Sequence, residues 1–240
     1  MMNGADPALL LVAHGTRNPR GVEMVAELAS EVSRTAGPTR VAFVDVLGPS
    51  PAEVLRDSER PAVLVPAFLA SGYHVHTDVP REVADSGHRG VVVTDALGPD
   101  PVLARVLMRR LQDAGWCPGD AVVLAAAGSS DPRALCDVGS AARMLESLTR
   151  TTVRIGYVAT GAPRVAEVVD DLREQGARRV FIASYLLAEG LFHGRLLECG
   201  ADGVSAPLGV TDSIVELVVR RYRTAVATAQ WPKATFMHSE

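Results

Sequence analysis

Two imidazoles and a carboxylate, His14, Asp45 and His74, are the side chains of this 240-residue chain whose types and placement could do chemistry. His14 follows the apolar run Leu9-Leu10-Leu11-Val12-Ala13, Asp45 closes Phe43-Val44-Asp45, and His74 sits in Gly72-Tyr73-His74-Val75-His76. Two imidazoles and a carboxylate suit first-row divalent metals such as Fe2+, Co2+ or Ni2+, held with coordination positions left open. They suit proton transfer near neutral pH equally well, because an unperturbed imidazole titrates near ~6.5. The spacing contains no self-sufficient metal signature such as HExxH, so both chemistries stay open. Taken singly, each residue also has a plainer role: a structural hydrogen bond for His14, a turn or helix cap for Asp45, an exposed loop for His74.

An internal repeat makes the three more informative together than apart. Leu11-Val12-Ala13-His14-Gly15-Thr16-Arg17-Asn18-Pro19-Arg20 aligns without a gap onto Leu124-Ala125-Ala126-Ala127-Gly128-Ser129-Ser130-Asp131-Pro132-Arg133, at an offset of 113 residues. Phe43 to Pro49 aligns onto Tyr157 to Pro163 at an offset of 114, Gly72-Tyr73-His74 onto Gly190-Leu191-Phe192, and Arg109-Arg110 onto Arg220-Arg221 at 111. Matches of this kind at nearly constant offset are the mark of duplication. On this alignment Ala127, Ala159 and Phe192 replace His14, Asp45 and His74, so the scaffold itself does not demand the polar residues. One working site in the first copy follows.

The elements that must carry these residues alternate in character. Continuous Val/Leu/Ile/Ala runs near 8–13, 40–46, 62–67, 91–95, 121–126, 152–158, 179–184 and 203–207 read as strands covered on both faces. Amphipathic stretches near 20–35, 50–58, 77–86, 100–114, 134–148, 163–175, 190–198 and 211–227 read as helices. Such alternation predicts parallel sheets with right-handed crossovers, one small α/β lobe per repeat. The lobes are expected at 1–117 and 118–228, divided near Ala114-Gly115-Trp116-Cys117-Pro118-Gly119-Asp120, with a loose tail at 229–240. Ligands of parallel α/β folds lie beyond the carboxyl ends of the strands, so His14, Asp45 and His74 should project to one rim.

The loop after His14 opens a helix with free backbone N–H groups and carries Arg17 and Arg20, a place for carboxylates or phosphates. Arg133 occupies the matching loop of the second copy. Helix capping by Asn18 and Asp131, each followed by proline, explains the same residues without a ligand. No GxxxxGK[ST] phosphate loop is present. His76 could assist metal delivery or be solvated, His193 falls one position beyond the residue aligned with His74, and His88 and His238 read as surface or tail residues.

Composition narrows the classes further. A hydrophobic fraction of 48% supports a full core, and 24 basic against 28 acidic residues leave a net charge of −4, with no broad attraction for nucleic acid or anionic membranes. Cys117, Cys136 and Cys199 are odd in number and lack CxxC spacing, which fits a reducing cytoplasm and argues against a structural zinc site or an iron–sulfur cluster. The N-terminal residues contain no basic targeting region, and no apolar run approaches the ~20 residues of a membrane span. A cytoplasmic location is expected.

The segments LLVAHGTRNPR, FVDVLGPSPAEVL and VPAFLASGYHVHTDVP together resemble the sirohydrochlorin chelatases of the cobalt/iron type, a branch of the class II tetrapyrrole chelatases, and the resemblance spans essentially the whole chain. It implies two α/β lobes related by a pseudo-twofold, the first resembling the short single-domain form and the second its degenerate copy, with a macrocycle in the cleft between. It implies insertion of Fe2+ on the way to siroheme, or of Co2+ on the way to cobalamin, without ATP. It assigns His14, Asp45 and His74 to the metal, His14 and His74 to catalysis, and leaves Arg17, Arg20 and Arg133 for substrate carboxylates. Two positions depart from the usual pattern: Asp45, where glutamate is commoner, and His76, where another and often basic residue stands. No permanently bound cofactor is implied, since the divalent metal is a substrate. Monomer and homodimer both fit, and a noncatalytic metal or tetrapyrrole carrier is the reading from a different class.

Overall fold

A computed structural model describes residues 6–231. In the first lobe, strands β1 (Ala8–Ala13), β2 (Thr39–Phe43), β3 (Ala62–Pro66) and β4 (Val91–Val93) alternate with helices α1 (Pro19–Ala36), α2 (Pro51–Arg56), α3 (Val79–Ser86) and α4 (Pro101–Asp113). A π-helical turn, His74–Asp78, leads into α3. The second lobe repeats the order with β5 (Ala121–Gly128), α5 (Pro132–Thr149), β6 (Val153–Thr160), α6 (Val165–Glu174), β7 (Val180–Tyr185), α7 (Leu191–Leu197), β8 (Gly203–Val204) and α8 (Asp212–Thr228). Both sheets are wholly parallel, ordered β2-β1-β3-β4 and β6-β5-β7-β8.

The apolar runs form central strands because both of their faces are covered. In β1, Leu9, Leu11 and Ala13 enter one core, while Leu10 and Val12 enter another beneath α2 and α3. In β5, Val122, Leu124 and Ala126 join the first core, and Val123 and Ala125 face a third beneath α6 and α7. The large core is thus common to both lobes. Between the sheets lie α1, α4, α5 and α8, and the last helix of each half crosses over: α4 packs against β7 and α5, while α8 packs against β3 and α1. Polar bonds follow the same exchange, with Arg220 and Arg221 of α8 meeting Asp100 at the start of α4 at 2.9 and 3.3 Å, and the Tyr222 hydroxyl donating to the Pro7 carbonyl at 2.7 Å.

The repeat has the local symmetry expected of a pseudo-twofold. Asn18 caps α1 and Asp131 caps α5 through the same side-chain bond. Gly72 of the first lobe lies against Ser129, Asp131 and Ala134, and Gly190 of the second lies against Asn18. Phe43 N–H and Tyr157 N–H each donate to the following proline carbonyl, Pro49 and Pro163, at 2.9 Å. The alignment of Asp45 with Ala159 needs correction, however. Ala13 pairs with Phe43 and Ala126 with Tyr157, but the next close approach is Gly15 to the Asp45 carbonyl and Gly128 to that of Thr160. One extra residue is accommodated in β6, at a register shift between Ala126 and Gly128. Thr160 therefore holds the backbone place of Asp45, and the second lobe loses two histidines rather than three polar groups.

The start of the expected loose tail is also corrected. Trp231 packs on the common core, and its indole N–H donates to the Val226 carbonyl at 3.1 Å. Residues 232–240, with His238, lie outside the described residues. No helix among the described residues is long and apolar enough to cross a membrane.

Candidate metal-handling site

The carboxyl end of β1 and the turn after β3 bring His14 and His74 together. Their ring centroids are 4.4 Å apart, with ring planes at 81°. Gly15 makes the approach of the β1 loop to the β2 loop feasible: its φ is +98°, and a Cβ there would stand 2.0 Å from the Asp45 carbonyl oxygen. The Asp45 N–H donates to the His14 carbonyl at 2.9 Å, so the two loops are locked by backbone. The Asp45 carboxylate turns elsewhere, accepting the Val46 N–H at 2.8 Å, with Val46 in the left-handed region at φ 65°. Asp45 is thus a neighbour of the histidine pair through its main chain, while its side chain is exposed and folded onto its own loop. Among the described residues, no group of three or more His, Cys, Asp or Glu side chains is arranged to hold a metal.

His74 opens the π turn, whose widened backbone is common at functional positions. Phe68 stacks beside its ring and Tyr73 meets it edge-on, each at 6.0 Å between centroids. Its Nδ1 lies 2.6 Å from Oδ2 of Asp78, and Oδ1 of Asp78 is paired with Arg81 at 2.8 Å. Asp78 is 5% exposed. The carboxylate that meets an imidazole is thus Asp78 and not Asp45. Its signal was available as a histidine and an aspartate four residues apart in His74-Val75-His76-Thr77-Asp78, a spacing that juxtaposes side chains on any helical turn.

The hydrogen bonds decide which nitrogen each ring offers. His14 Nδ1 lies 3.0 Å from the Gly15 carbonyl, which can only accept, and His74 Nδ1 faces a carboxylate. In the neutral rings both protons therefore belong on Nδ1, leaving the Nε2 lone pairs unused. Among the described residues, each ring thus bonds through Nδ1 and presents Nε2 as the nitrogen that could take a metal or a proton.

The other candidates disperse. Arg17 is exposed. Arg20 reaches across the lobes to Glu189 at 2.6 Å. Arg133 is held by Asp131 through Nε at 3.1 Å and a terminal nitrogen at 2.8 Å, and that side-chain bond keeps the Asp131 carboxyl below the usual carboxylate range. His76 lines an interlobe cavity of about 340 Å3, shared with Ser71, Arg133, Asp137 and Arg221, whose lining includes neither His14 nor His74. His193 bonds the Ser205 carbonyl within its own lobe at 3.2 Å, Phe192 is part of the outer core there, and His88 Nδ1 accepts the Gly90 N–H.

A two-lobed parallel α/β protein with paired imidazoles at the strand ends of one lobe defines the class, and the sequence model of one family, CbiX, matches it twice, over residues 8–114 and 121–225. The chain belongs to the CbiX family. It is 22% identical over 204 residues to a sirohydrochlorin ferrochelatase of Priestia megaterium, covering 80% of this chain and 77% of that protein. It is 24% identical over 207 residues to a sirohydrochlorin cobaltochelatase of the same organism, covering 80% and 67%. The fold matches that of SirB from Bacillus subtilis with Fe3+ at a TM-score of 0.79 and 21% identity, covering 93% of this chain and 96% of that one.

Proposed function

We propose that this chain is a sirohydrochlorin chelatase that inserts Fe2+ into the macrocycle to give siroheme, with Co2+ as the alternative metal. The observation that carries the reading is the His14–His74 pair, two imidazoles at 4.4 Å with both Nε2 lone pairs unspent. Family membership and the relatives' names support the reaction, and one relative of each metal keeps both metals in play.

Chelation exchanges one divalent metal for two pyrrole N–H protons. The histidine pair matches that stoichiometry. Their Nε2 atoms first hold the incoming metal; once it passes to the macrocycle, the same two lone pairs accept the two protons and return them to solvent. Two imidazoles bind a divalent ion weakly enough to release it, which a closed four-ligand cage does not. Asp45 contributes by locking the His14 loop through its backbone, and its exposed carboxylate is available to an arriving metal. Exposed Val46, Leu47 and Tyr73 near the pair offer apolar surface to a flat macrocycle, the usual companion of a few convergent polar groups. Arg17 and Arg20 are assigned to peripheral carboxylates, with Arg133 in a supporting place.

Anaerobic incubation of sirohydrochlorin with the protein and Fe2+, Co2+ or Ni2+ in parallel, followed by visible absorption, tests the reading. Accelerated insertion is expected with Fe2+ and Co2+. Binding of the macrocycle without acceleration for any metal would establish a carrier instead.

A further inference from the structure

The carboxylate of Asp78 is buried, and both of its oxygens are committed. Oδ2 lies 2.6 Å from His74 Nδ1 and Oδ1 lies 2.8 Å from Arg81. A carboxylate 5% exposed is costly unless its partners repay the lost hydration, and one of the two partners here is an imidazole of the working rim. The second lobe supplies a contrast. There α7 begins at Leu191 with Phe192 packed in the outer core, and no carboxylate bonds a ring at that place among the described residues.

We propose that Asp78 is a positioning residue for His74: by accepting a hydrogen bond from Nδ1–H it fixes the tautomer and the ring angle, leaving Nε2 as the nitrogen offered at the rim beside His14, with Arg81 holding the carboxylate in place. The consequence for function rests on the chelatase reading above, but the positioning itself does not. A carboxylate behind an imidazole raises its donor strength and removes its freedom to flip, and loss of such a partner typically costs 10–100-fold in metal affinity or activity. The π turn contributes geometry. It closes with Val79 N–H donating to the His74 carbonyl, so ring and carboxylate belong to one rigid turn rather than to two loops.

The test uses the full chain. Long-range 15N–1H NMR of the neutral rings reports which nitrogen of His74 carries the proton, with the signal assigned by its disappearance in His74→Ala. Protonation at Nδ1 in the wild type, with a shift toward Nε2 in Asp78→Asn, is expected. Titration with Co2+ alone should show 10–100-fold weaker binding in Asp78→Asn, and insertion assays should show kcat falling by a similar factor while KM for the macrocycle stays within about twofold. Asp78→Glu should recover part of the Co2+ affinity. A wild-type His74 protonated at Nε2, or an Asp78→Asn protein that binds Co2+ as tightly as the wild type, overturns the proposal. If the variant does not fold, the wild-type tautomer still decides. Neither the NMR nor the Co2+ titration needs a tetrapyrrole, so a wild type that never inserts metal would sink the chelatase reading and leave this one standing.

Discussion

His14 and His74 meet edge to face across two loops, and each gives its Nδ1 to a different acceptor, the Gly15 carbonyl and the Asp78 carboxylate. The pair is therefore symmetric in what it offers and asymmetric in how it is held. Removing either ring halves the supply of lone pairs. His14→Ala and His74→Ala should each lower kcat/KM for metal insertion by roughly 10²–10⁴-fold, the range for loss of a positioned acid–base group. The double variant should be little worse than either single one, because both rings serve one event. Insertion rates with saturating metal measure this, and a variant retaining full activity would remove its residue from the mechanism.

The loop that presents His14 depends on a residue with no side chain. Gly15→Ala would place a methyl group in the space of the Asp45 carbonyl oxygen at a φ of +98°. The left-handed conformation alone costs about 1–2 kcal/mol, and the collision adds to it. A fall in Tm of roughly 4–8 °C is expected for about 2 kcal/mol in a chain of this size, together with loss of activity. Gly115→Ala separates the two causes, because Gly115 has a φ of +91° with nothing within 4 Å of an added Cβ. Its Tm should fall by about half as much. Equal falls would mean that the approach to Asp45 is not what Gly15 is there for.

Tyr185 of the second lobe donates its hydroxyl to the Leu69 carbonyl of the first at 2.8 Å, and burial pushes that hydroxyl above its ordinary value near 10. The unfolded chain then ionises at lower pH than the folded one. The phenol's contribution is whole below about pH 10 and is lost as pH climbs through the folded value. Tyr185→Phe should cost about 1–2 kcal/mol near neutrality and should lack this alkaline loss. Urea unfolding at increasing pH should therefore show the gap between wild type and variant narrowing above pH 10. A gap that stays constant would refute the assignment.

Arg20 and Glu189 form an exposed ion pair between the lobes, a kind that contributes only ~0–1 kcal/mol. Neither Arg20→Gln nor Glu189→Gln should move Tm by more than about 4 °C. Their effects on substrate should be opposite if Arg20 meets a macrocycle carboxylate: about threefold higher KM without the arginine, about threefold lower once its internal partner is gone. Movement of KM in the same direction in both variants would assign the pair to structure alone.

Much of this was readable in advance. The continuous apolar runs of β1 and β5 could only be strands covered twice, and Asn18-Pro19 and Asp131-Pro132 announced the helix starts that the structure shows. The pairing of His14 with His74 was readable because both follow strands of one parallel sheet. Where the Asp45 side chain turns was not readable, because its residue type does not fix the rotamer, and here one carboxylate oxygen accepts the adjacent Val46 N–H. Asp78 was passed over because buried carboxylates are rare, and its role appears only once the turn places it behind His74. The β6 bulge was invisible for a different reason: one residue gained before Thr160 is one residue lost before Pro163, so the alignment ends in step.

The crossing of α4 and α8 gives the molecule a property that neither half has alone. Each sheet is roofed by a helix from the other half, so a chain cut within residues 114–120 would yield two pieces with uncovered apolar faces. Those pieces should recover structure only by recombining one to one, and the intact chain should melt as a single unit. The spacing of the rim bearing His14 and His74 from the opposite lobe then works as a fixed gauge, set by the fold rather than by whatever enters it.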